Sequence, residues 1–156
     1  MPRYLIVAHD TATSPELIDQ VRDLARGDQK TELVMLVPST PVKDLLLTRS
    51  SSDDAEAVAR ERADEARDAF RDAGVALADT VVGAASPRDA IADEVRRRPG
   101  YHGFVISCLP QEQSNWLRTD LPGEVERQHG LPVIRVELSP TQFDFWRRRS
   151  GWGRGV

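Results

Sequence analysis

The sequence predicts an α/β protein built on a parallel sheet. Three observations carry this. Five short apolar runs recur along the chain, at Tyr4–Ala8, Leu33–Val37, Leu77–Val82, Phe104–Ile106 and Val133–Leu138. Most are apolar in consecutive residues rather than alternately, as strands covered on both faces are. Between them lie segments with helical spacing and recognisable start and stop residues, so strand and helix alternate.

The first helix follows Thr13-Ser14-Pro15-Glu16. Either Ser14 caps it with Pro15 at the first helical position, or Thr13 and Glu16 form a capping box. Leu17, Ile18, Val21, Leu24 and Ala25 then recur at helical spacing up to Gly27. Residues 38–52 read as a loop, with Leu45-Leu46-Leu47 forming one short helical turn folded onto the body. Residues 53–73 read as a long helix. Its inward stripe is Ala55, Ala59, Ala63, Ala66, Ala69, Phe70 and Ala73, and its charged faces are solvated. Ser86-Pro87 opens a third helix through Arg98, with Ala90, Ile91 and Val95 inward and arginines at its negative end. Pro99-Gly100 ends it. Asp120 is expected to cap a short fourth helix that stops at Gly130.

The chain has 156 residues, 40% of them hydrophobic and 29% charged, which suits one domain. A single cysteine excludes a disulfide scaffold and a CxxC site. No apolar run approaches the roughly 18 residues of a membrane span. The start lacks a signal-peptide core, so the expected setting is soluble and cytoplasmic. The net charge is −4, yet residues 139–156 carry four arginines and one acid. The body is therefore acidic, which argues against nucleic acid as a partner. The expected organisation is one domain over 1–138 and a basic aromatic tail over 139–156. Phe143, Phe145, Trp146 and Trp152 of that tail are expected to pack on the body or on a partner copy.

Open parallel sheets bind ligands beyond the carboxyl ends of their strands, where the strand order reverses. With strand 1 central, that point lies between strands 1 and 4, at His9, Asp10, Ser107 and Cys108. Asp10 suits a base or ribose, or equally a turn. His9 is a candidate acid–base group by residue type, but has no second catalytic group beside it in sequence. Cys108 reads as a small buried residue at a strand end, and His102 and His129 as flanks of turns. No pair of histidines has metal-ligand spacing. GxxxxGK[ST], a strand-borne GxGxxG and GxSxG are all absent. A non-catalytic role follows.

The first strand ending Val-Ala-His-Asp, the alternating chain and the last strand Leu-Pro-Val-Ile-Arg-Val resemble the universal stress protein family over residues 3–138. The resemblance implies a five-stranded parallel sheet of order 3-2-1-4-5, helices on both faces, and a homodimer. It also implies that Asp10 lies near the adenine and ribose of ATP. The family's glycine loop after strand 4 falls on Ser107 to Asp120, which holds no glycine, and its closing Gly-Ser/Thr pair falls on Thr119-Asp120. Side chains there crowd a phosphate that glycines would admit, and an aspartate repels it. ATP in the usual family mode is therefore not expected, and no cofactor is assigned.

The segment Ser114-Asn115-Trp116-Leu117-Arg118-Thr119-Asp120-Leu121-Pro122 is similar to one shared by a subgroup of stress-protein relatives. Ser114 and Arg118 suit a small anion. The structural alternative packs Trp116 and Leu117 over strand 4 and pairs Arg118 with Asp120 or Glu124. The candidate ligand-binding set is His9, Asp10, Val37, Ser107, Ser114, Arg118 and Thr119. The candidate dimer edge is Val133, Ile134, Arg135, Val136 and Glu137. A two-fold axis at Val136 would place Arg135 opposite the partner's Glu137. The expected function is a stress-protein-like dimer with a small-ligand or regulatory role. The alternative is an interaction or structural protein with no bound ligand, and after it a nucleotide-binding or hydrolysing protein.

Overall fold

The computed structural model describes residues 2–9, 11–27, 30–40, 52–108, 116 and 120–137. Strand β1 (Arg3–Val7) leads into helix α1 (Pro15–Arg26), and β2 (Glu32–Pro38) precedes α2 (Ser52–Asp72). Next come β3 (Asp79–Gly83), α3 (Pro87–Arg97), β4 (Gly103–Cys108), α4 (Leu121–His129) and β5 (Val133–Glu137). All strand pairs are parallel and the order is β3-β2-β1-β4-β5, as expected. The short helical turn at 45–47 and the tail lie outside the described residues.

Alternation along the strands builds two apolar layers. Ile6, Ala8, Met35, Val37, Val105 and Val136 meet Leu17, Val21, Ala59, Ala63, Ala66 and Phe70 of α1 and α2. Leu5, Val7, Val34, Leu36, Phe104 and Ile106 face the other way, toward Ala90, Ile91, Leu121 and Val125 of α3 and α4. The alanine stripe of α2 lets that helix lie close to the sheet. Among the described residues, no helix is long and apolar enough to cross a membrane.

Helix starts resolve the alternatives that spacing left open. Ser14 is the α1 cap and accepts a hydrogen bond from the Leu17 N–H at 3.3 Å. Ser86 accepts one from the Asp89 N–H at 3.4 Å at the start of α3. Strand β3 starts two residues later than the sequence suggests. Leu77 precedes it and packs against the apolar layer, so it reads as strand by composition alone.

One expectation needs correction, and α3 adds a residue to its inward face. Asp120 precedes α4 but its side chain makes no capping bond, because its backbone is left-handed (φ 54°, ψ 46°). A side-chain cap needs extended backbone at that position. The inward face of α3 includes Glu94, which is 2% exposed. Its carboxylate accepts the Tyr101 hydroxyl at 2.6 Å and pairs with Arg97 at 2.8 Å and Arg98 at 3.5 Å. Burial, then the bond to Glu94, hold the Tyr101 hydroxyl protonated far above the ordinary tyrosine range. Arg98 also bonds Asp79 at 2.7 Å, which pulls the Asp79 carboxyl below its ordinary range. This network ties α3 to the amino-terminal edge of the sheet, away from the strand ends where ligands bind.

Candidate functional site

The strand order reverses between β1 and β4, so the mouth of the sheet lies where the sequence places it. Register sets Val7 beside Ile106 on one side and beside Leu36 on the other. The chain then leaves β1 through two successive turns. The Ala12 N–H donates to the His9 carbonyl at 3.2 Å, and the Ser14 N–H to the Thr11 carbonyl at 3.0 Å. These turns deliver Ser14 to its capping position. They also place His9 and Thr11 at the end of β1, beside β4.

His9 and Ser107 are both buried, at 7% and 2% exposure. Ser107 Oγ lies 2.5 Å from Thr11 Oγ1, also buried, so the two hydroxyls share a hydrogen bond across the β1–β4 seam. Cys108 is buried in the opposite layer with α3 and α4. Val37 is fully buried in the layer beneath α1 and α2. Asp10, Ser114, Arg118 and Thr119 lie outside the described residues. The structure therefore places His9 and Ser107 at the ends of β1 and β4, at the switch point, and joins Thr11 to Ser107. Periodicity gave no reason to select Thr11, because its partner is far away in sequence.

The rim beside β2 and β3 is closed by hydroxyls as well. Ser39 Oγ donates to the Gly83 carbonyl at 2.7 Å and Thr40 Oγ1 to the Ala85 carbonyl at 2.9 Å. The other rim is the start of α4. There the Asp120 carboxylate packs on Gly123, where a Cβ would meet Oδ1 at 2.7 Å and Cγ at 2.8 Å. The same carboxylate lies 3.5 Å from Arg127 and 3.9 Å from Arg135. Glu124 pairs with Arg88 of α3. The first turn of α4 thus already carries the Asp120 carboxylate.

The other histidines have structural surroundings. His102 Nδ1 accepts the Arg3 N–H at 3.1 Å, and the His102 N–H donates to the Arg3 carbonyl at 2.7 Å. The His129 ring sits 5.5 Å from that of Phe104, and burial lowers its pKa. Among the described residues, no cluster of His, Cys, Asp and Glu could hold a metal ion.

Among the described residues, strand β5 is an edge, hydrogen-bonded to β4 alone. Arg135 and Glu137 are exposed there and Val136 is buried. A groove of about 530 Å³ runs between this strand and α1, with Glu16, Asp19, Asp23 and Glu137 among its walls. It lies on the outer face of the sheet edge.

No protein-family model matches the chain, and no curated protein does either. Among solved structures, the chain is similar to a crystal structure of a universal stress protein family protein from Arabidopsis thaliana with AMP bound. The identity is 11%, the TM-score is 0.56, and the match covers 91% of this chain and 95% of the other. The chain therefore has the fold of a universal stress protein structure.

Proposed function

We propose that this protein is a universal-stress-protein-like homodimer with a non-catalytic, small-ligand or regulatory role. The observation that carries the reading is the polar base of the β1–β4 mouth. His9, Thr11 and Ser107 are buried where an open parallel sheet presents its ligand site. The fold is that of a stress protein solved with AMP. Asp10 follows His9 directly and is the residue proposed to contact the ligand. Ser114, Arg118 and Thr119, with Val37, complete the candidate set. ATP held in the family's usual way is not part of this reading, because the α4 rim carries a carboxylate.

The proposed dimer forms through β5. Among the described residues it has no strand on its outer side, and Arg135 and Glu137 sit symmetrically about Val136. An antiparallel copy would set Arg135 against the partner's Glu137 and cover the groove beside α1.

A thermal-shift screen tests the ligand reading, with adenosine, AMP, ATP, cyclic nucleotides and simple anions as probes. A ligand at about 100 times its Kd adds roughly 2.7 kcal/mol, or about 5–10 °C for a chain of this size. The expected result is a shift with a phosphate-free probe that disappears in Asp10→Ala. No shift with any probe would favour the interaction protein, acting through the β5 edge.

A further inference from the structure

Asp120 is the one non-glycine residue with positive φ among the described residues. Aspartate tolerates this left-handed backbone better than most residues with a side chain. The conformation turns its carboxylate away from a capping bond and lays it on Gly123, in the first turn of α4. Two guanidinium groups converge on it, from Arg127 of α4 and Arg135 of β5. The start of a helix and two arginines are the usual ingredients of an anion site. Here the chain supplies the anion itself. The flanking ion pairs are exposed, with side chains 50–68% accessible, so they add little stability. Their consequence is for binding.

We propose that Asp120 is a built-in anion that occupies the start of α4 and excludes phosphate. It rests on the reading of the β1–β4 mouth as the ligand site that the natural ligand then carries no phosphate at this end. A neutral, nucleoside-sized polar molecule fits this chemistry. A phosphate there would meet the Asp120 carboxylate at close range, where like charges repel strongly. Removing the carboxylate leaves the helix start and both arginines to a ligand from solution.

The test is isothermal titration of the full chain with inorganic pyrophosphate at low ionic strength, for wild type, Asp120→Gly and Asp120→Asn. Glycine accepts φ 54° without strain and asparagine nearly so, so both variants keep the backbone. We expect no pyrophosphate binding by the wild type. Both variants should gain it, with Kd lower by about tenfold or more. The gain should vanish when Arg127→Gln and Arg135→Gln are added to Asp120→Gly. Wild-type binding equal to that of the variants overturns the proposal. So does a variant that gains nothing, or a gain that survives loss of both arginines. The proposed mouth is tested separately, by adenosine on the wild type. Absence of adenosine binding with the pyrophosphate pattern intact would remove the nucleoside ligand and leave the role of Asp120 standing.

Discussion

Thr11 and Ser107 stand 96 residues apart in the chain and share a buried hydrogen bond of 2.5 Å. The bond fastens the turn after β1 to the end of β4, across the seam where the strand order reverses. It fixes the base of the mouth from both sides. Removing one hydroxyl leaves the other buried without this partner, a loss of about 1–3 kcal/mol. Thr11→Val and Ser107→Ala are each expected to lower the melting temperature by several degrees. The double variant should lose clearly less than the sum of the two, because the second change removes a group already orphaned. Additive losses in a denaturant or thermal melt would show that the hydroxyls act independently.

Glu94 makes the α3 network the second place where polar burial matters. Tyr101→Phe removes the hydroxyl donor at 2.6 Å from a carboxylate that is 2% exposed. The expected cost is about 1–3 kcal/mol, since a hydrogen bond to a charged group is lost in a buried setting. Ligand binding at the opposite end of the sheet should not change. Equal thermal stability of Tyr101→Phe and wild type would place the stabilising contacts of Glu94 with Arg97 and Arg98 instead.

His129 gives a pH dependence with a definite sign. Burial lowers its pKa below the ordinary 6.5 in the folded state. Between the folded and unfolded values the unfolded chain binds more protons, so stability rises with pH. The contribution is complete above about pH 6.5 and is lost as pH falls toward the folded value. His129→Phe keeps the ring on Phe104 and should flatten this part of the stability profile. An NMR titration of the His129 ring with a midpoint at or above 6.5 would contradict the assignment.

The β5 edge makes a separable prediction about assembly. Arg135→Glu places like charges opposite one another in the proposed antiparallel pair and should weaken the dimer. Arg135→Glu with Glu137→Arg restores opposite charges and should recover it. Light scattering across a dilution series reads both. A wild type that is monomeric at all concentrations removes β5 pairing from the proposed function. Arg135 also lies 3.9 Å from Asp120, so Glu137→Arg alone is the cleaner first variant.

Much of this protein could be read from residues alone. Apolar runs separated by capped helical segments determined the α/β class, the five strands and the Ser86 cap, and offered Ser14 as one of two starts for α1. These features depend on local sterics and on hydrophobic periods of two and 3.6, which neighbouring residues carry. The switch point followed once β1 was placed at the centre, and with it the interest of His9 and Ser107. Other features depended on partners brought together only by the fold. Thr11 joined the site through Ser107, 96 positions away. Glu94 lies four residues after Ala90, on the inward stripe, yet its charge argued for the surface until Tyr101, Arg97 and Arg98 closed around it. Asp120 is a capping residue by identity, but the left-handed turn into α4 directs its carboxylate to Gly123 and two arginines. A buried or redirected polar group takes its energy from the groups that surround it, and tertiary packing alone decides which those are.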